Sequence, residues 1–123
     1  MNLPVTAAML YALLVVGVIV FQCCLIAGAP WGHLTQGGQQ RGKLSKSGRI
    51  VACLSIPLLF FMGAGITSAT SLWPGWSLWT GWAALGLQAV VTFLNWITRS
   101  RPERRLWGPI TSVMFGLAAF VIV

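Results

Sequence analysis

Four long apolar runs, separated by three polar interruptions of unequal length, set the pattern of this chain. The runs cover approximately residues 4–28, 50–72, 78–97 and 106–123, and the first is broken only by Thr6 and Gln22. A helix needs about 20 apolar residues to cross a hydrocarbon core about 30 Å thick, so the pattern predicts four membrane-spanning helices. The last run, at a 1.5 Å rise per residue, reaches about 27 Å and suits a thin bilayer. The links at 73–77 and 98–105 are short, which makes the helices they join antiparallel neighbours. The predicted fold is therefore all-α: one membrane domain, 1–123, arranged as an up-down-up-down transmembrane four-helix bundle.

Local signals refine the ends. Pro4 suits a first helical turn, where its missing N–H has no partner to lose. Ala27-Gly28-Ala29 imitates a signal-peptide cleavage site, but no basic residue precedes the run and the run is longer than a signal core, so a retained helix ending at Gly28 and Pro30 is expected. Pro57 lies inside the second run and denies an N–H to the Cys53 carbonyl, which predicts a kink. Beyond it, Gly63, Gly65, Ser68 and Ala69 keep one helix surface small enough for a neighbouring backbone to approach.

Charge sets the orientation. Every basic residue lies in 29–49 (Arg41, Lys43, Lys46, Arg49) or in 98–105 (Arg99, Arg101, Arg104, Arg105), and none lies between Trp73 and Ser77. Short loops rich in Lys and Arg stay in the cytoplasm, so both basic loops are expected inside and both termini outside. The tryptophans agree, because indoles gather at membrane interfaces. Trp73, Trp76, Trp79 and Trp82 mark one interface, and Trp31, Trp96 and Trp107 the other. Interfacial anchoring is preferred for the outer four over an aromatic cage for a cation.

Composition excludes a water-facing globule. Hydrophobic residues make up 57% and charged residues 7% of the 123, against roughly 25% charged in soluble domains. The net charge of +7 is accounted for by topology, so nucleic acid is not expected as a partner. Anionic lipid headgroups at the cytoplasmic face are, at about 1 kcal/mol per basic side chain near the surface.

Catalytic chemistry finds little support. Glu103 is the sole acidic residue, which removes paired-carboxylate catalysis; an ion pair with neighbouring arginines in a solvated loop is expected for it. His33 is the only candidate base for a nucleophile, and nothing in the sequence orients it. Cys23, Cys24 and Cys53 read as small packing residues or acylation sites rather than as a metal set. No enzyme activity, cofactor or metal is predicted. Small multidrug exporters depend on a membrane-embedded glutamate, and this chain has none.

The candidate functional residues are polar groups inside the runs. Gln88, Thr92 and Asn95 share one face of the third helix at spacings of four and three, and Gln22 of the first helix is expected at a depth between Gln88 and Asn95. Amides in hydrocarbon must turn inward and find partners; as interhelical glue they contribute about 0.6 kcal/mol per bond, and as a track they would serve a small neutral solute. Gly108, Ser112 and Gly116 repeat every four residues, a small-xxx-small face for close helix packing or a second copy of the chain. Four helices of this size leave little expected room for a central cavity, so a pore would need an oligomer.

The segment GAPWGHLTQGG, carrying Gly28, Pro30, Trp31, Gly32, His33, Thr35, Gly37 and Gly38, leads through a basic tail into the second helix. Together with LNWITRSRPERRLWGPI it resembles a family of small bacterial four-helix integral membrane proteins with no assigned activity. Leu44-Ser45 stands where that family tends to have Leu-Pro. The resemblance implies the same topology and a location in the plasma (inner) membrane. The function expected is that of an accessory or partner-binding membrane protein, with a membrane-protein partner or a homo-oligomer; the alternative is an oligomeric channel or carrier for a small solute.

Overall fold

The computed structural model describes residues 2–123 as four long helices: α1 (Leu3–Ala27), α2 (Lys46–Ser68), α3 (Leu78–Ile97) and α4 (Arg101–Ile122). The α1 helix starts where Asn2 Oδ1 accepts the Val5 N–H, with Pro4 in the first turn. It stops at Gly28, whose φ of 106° only glycine adopts without strain.

Three boundaries depart from the hydrophobic pattern, two of them helix starts, because capping side chains, not the onset of apolar residues, fix a helix start. The α2 helix begins at Lys46 rather than near Ile50, since Ser45 Oγ accepts the Gly48 N–H. It ends at Ser68 rather than Leu72, where Thr67 Oγ1 donates to the Trp73 carbonyl and the Trp76 N–H donates to Ser68 Oγ. The α4 helix begins at Arg101 rather than near Leu106, since Ser100 Oγ accepts the Glu103 N–H and Pro102 fits the first turn. The expected 98–105 loop is thus three residues of link followed by a basic helical turn. Both α2 and α4 run unbroken through Pro57 and Pro109.

Sequential helices pack antiparallel, and α1 meets α4 to complete a ring. Small residues set the closest approaches: Gly63 lies against Val15, and Gly65 against the Thr80 carbonyl and Ala84. A Cβ at Gly65 would sit 2.6 Å from Thr80 O, so this crossing admits glycine alone. The main core, Ala8, Tyr11, Val15, Met62, Ile66, Ala84, Met114 and Ala118, fills the half of the ring nearer the Trp73–Trp82 end. At the opposite, basic end a smaller cluster forms where Leu44 of the 29–49 segment packs with Leu25 and Ala52.

The outward faces are apolar, with Leu13, Leu54, Phe93 and Val113 all exposed. Three helices, α1, α2 and α4, are long and apolar enough to cross a membrane. The α3 helix, at 20 residues, carries Gln88, Thr92 and Asn95 within its length.

Candidate functional site

The polar face of α3 is organised around Gln88, which is 1% exposed. Its Oε1 accepts from the Tyr11 hydroxyl at 2.9 Å, and its Nε2 donates to Thr92 Oγ1 at 3.3 Å and to the Thr111 carbonyl at 3.2 Å. Thr92 Oγ1 also lies 2.8 Å from the Gln88 carbonyl and 3.0 Å from the Thr111 carbonyl. One amide thereby ties α1, α3 and α4 together. Asn95 does not join this network; its Nδ2 donates back to the Val91 carbonyl of its own helix at 2.8 Å.

Gln22 departs further from expectation. It reaches neither Gln88 nor Asn95, and its Oε1 is buried with no hydrogen-bond partner among the described residues. An amide oxygen in that state costs about 1–3 kcal/mol. The reason lies in what separates these residues: a cavity of about 500 Å³, contrary to the expectation of a filled centre. Gln22, Gln88 and Asn95 lie on its walls, with Ser55, Leu59 and Met62 of α2 facing them. Its lining is mainly apolar, with Thr35, Gln36 and Glu103 at the basic end and Met62, Gln88 and Met114 at the deep end. Beyond that depth the main core closes the ring.

The 29–49 segment caps the basic end of the cavity. It makes two short 3-10 turns, Gly32–Leu34 and Gln36–Gly38. The first is held by the Gly32 N–H on the Gly42 carbonyl, and a Cβ at Gly32 would collide with the Gln40 carbonyl. Thr35 is buried, and Gly37 and Gly38 adopt φ of 76° and 69°. Four bonds fasten the segment to the helices: Trp107 Nε1 to the Leu34 carbonyl at 2.9 Å, Ser100 Oγ to the His33 carbonyl at 2.7 Å, Gln36 Nε2 to the Gly48 carbonyl at 2.9 Å, and the Gly37 N–H to Glu103 Oε2 at 3.3 Å. Trp31 stacks on Phe21 at 5.7 Å, following the chain reversal at Gly28 and Pro30.

Glu103 is accordingly not the solvated, ion-paired carboxylate that its arginine neighbours suggested. It is 7% exposed in the first turn of α4, and the hydrogen bond it accepts comes from a backbone amide. The Ser100-x-x-Glu103 spacing is a capping-box signature, legible in the sequence. Here the carboxylate crosses to the other basic segment.

The remaining candidates separate clearly. In the 108/112/116 stripe, Gly108 is buried beneath the Trp96 ring and Ser112 Oγ accepts from Trp96 Nε1 at 2.8 Å. Gly116 is exposed and touches nothing, so the packing face ends before it. Cys23 and Cys53 are exposed and pack no core. Trp76 and Trp79 lie against Phe60 and Phe61 rather than forming a cage. Sequence reasoning missed Tyr11, the only tyrosine, although a buried phenol needs a partner and thereby marks the position. No family model, curated protein or solved structure matches the chain.

Proposed function

We propose that this chain is a four-pass protein of the bacterial plasma membrane, an up-down-up-down bundle with both termini outside and both basic segments in the cytoplasm. It acts as an accessory binding protein and not as an enzyme. The membrane reading is supported by the three apolar helices and by the exposed apolar girdle. For α3 to be the fourth crossing, its amides must not face lipid. The bonds of Gln88, Thr92 and Asn95 meet that need, because polar groups satisfied inside the protein no longer carry the penalty their composition suggests. The bacterial location rests on the GAPWGHLTQGG resemblance, and the inward basic loops on the charge rule.

The binding reading rests on one observation: Gln22, whose buried Oε1 has no hydrogen-bond partner among the described residues, is one of the residues lining a cavity of about 500 Å³. That volume falls in the range of small-molecule sites, about 300–1,000 Å³. The guest that fits has an apolar body and a polar group beside the Gln22 side chain, which must turn to expose its amide. The polar lining also favours a second reading, a carrier for a small solute. Since Tyr11, Met62, Ile66 and Met114 fill the far half, one chain has no continuous path, and transport would require an oligomer.

Extraction in gentle detergent, followed by mass spectrometry of what is retained, tests binding: a guest held by the wild type and lost from Gln22→Leu is the expected result. Solute flux into liposomes by the wild type, abolished in Gln22→Leu, would instead establish the carrier. Reporter enzymes fused after Lys43 and after Gly75 should read opposite compartments.

A further inference from the structure

The two basic segments, about 60 residues apart in sequence, come together in one place. A depression of about 500 Å³ at the basic end is lined by His33 and Arg41 of the first segment and by Arg99 and Arg101 of the second, with Gly37, Gly38, Ser100 and Pro102 as its floor. Close approach here depends on glycine: a Cβ at Gly38 would lie 2.6 Å from Ser100 Cβ. The one carboxylate nearby is withdrawn, since Glu103 is buried and accepts the Gly37 N–H.

The arginines also divide by use. Arg49 donates Nε to the Leu44 carbonyl at 3.2 Å, and Arg104 donates Nη1 to the Thr98 carbonyl at 3.0 Å. Among the described residues, Arg41, Arg99, Arg101 and Arg105 have no such protein acceptor, and the first three line the depression. Moreover, Arg101 stands in the first turn of α4, where the helix dipole is already positive and a cation is unfavourable. Three arginines and one histidine line a hollow at the start of α4, and the one neighbouring carboxylate, Glu103, is engaged by the Gly37 N–H. Guanidinium forks match phosphate oxygens in pairs.

We infer that this depression is a phosphate-binding site, assembled jointly by both basic segments and taking either the headgroup phosphate of an anionic phospholipid or a free phosphate. It is distinct from the cleft at Gln22. Its lipid form rests on the membrane reading above; its free form does not, so a failure of one is distinguishable from a failure of the other.

The test uses the full chain and two triple variants of equal charge: Arg41→Gln/Arg99→Gln/Arg101→Gln in the depression and Lys43→Gln/Lys46→Gln/Arg105→Gln outside it. Binding is measured to phosphatidylglycerol added to phosphatidylcholine nanodiscs, and to inorganic phosphate in neutral detergent. The expected result is a loss of at least about tenfold in one of the two arms for the first variant, and less than about twofold for the second. A response to the lipid alone assigns the site to the bilayer, and a response to inorganic phosphate assigns it to a soluble phosphate. Equal losses from both variants overturn the proposal, because they indicate charge without a site. Should the first variant not fold, phenylglyoxal labelling of the wild type decides: phosphate or phosphatidylglycerol must protect Arg41, Arg99 and Arg101 more than Arg105, and uniform labelling overturns the inference.

Discussion

The Tyr11 hydroxyl donates to Gln88 Oε1 at 2.9 Å across 77 positions of sequence, and both side chains are fully buried. Among the described residues, this bond completes the only amide network that ties three helices together. A Tyr11→Phe, Gln88→Met double-mutant cycle, read from unfolding in mixed micelles, should give a coupling of about 0.6–1.7 kcal/mol, the range for hydrogen bonds between helices in membranes. A coupling indistinguishable from zero would remove the network as a stabilising feature.

Gln22 should behave in the opposite sense. Its buried oxygen has no partner among the described residues, so Gln22→Leu removes a desolvation cost and should raise stability by about 1 kcal/mol in protein stripped of bound molecules. Retention of the guest proposed above should fall at the same time. A Gln22→Leu protein less stable than the wild type when both are stripped of bound molecules would mean that the amide has a partner after all.

The glycines make a graded series. Gly65→Ala directs a Cβ onto the Thr80 carbonyl at 2.6 Å, a backbone neighbour that cannot step aside, and should cost about 1–3 kcal/mol as overpacking. Gly116 faces open space, so Gly116→Ala should be stabilising by up to about 1 kcal/mol through helix propensity. Thermal unfolding in a single detergent ranks both variants; a penalty at Gly116 equal to that at Gly65 would show that a second copy of the chain packs there.

Gly38→Ala should detach the cap. Its φ of 69° costs about 1–2 kcal/mol for an alanine, and the added carbon collides with Ser100. The 29–49 segment should then become cleavable by trypsin at Arg41 and Lys43, while the helices stay intact. Ser100→Ala, which removes both the α4 cap and the bond to the His33 carbonyl, should lower stability by about 1 kcal/mol and open the same sites.

Much of this was legible in the sequence, and the misses have common causes. Apolar length located the four helices, and the four-three spacing of Gln88, Thr92 and Asn95 put Gln88 and Thr92 into contact with one another and with α4. Ser45 and Ser100 shifted two helix starts because a cap acts through one hydroxyl, whereas hydropathy averages over many residues. The depth of Gln22 could be counted along α1, but its partner could not, since whether two amides meet depends on the separation of helices that no local pattern encodes. Glu103 was misread for a related reason: its sequence neighbours are arginines, while its spatial neighbour is Gly37, brought across by left-handed glycines whose folded path is a tertiary property.

The ring is closed by different means at its two ends. Interlocked methyl and thioether groups hold the tryptophan-rich end, where the helices touch through Gly65 and Gly81; a smaller apolar cluster and hydrogen bonds from the 29–49 strap hold the other. Contacts of the second kind open at lower free energy than a packed interior. The molecule is therefore a clamshell with its hinge buried and its lips on the charged side, and amide exchange should be fastest at the lips around Gly37 and slowest near Ile66.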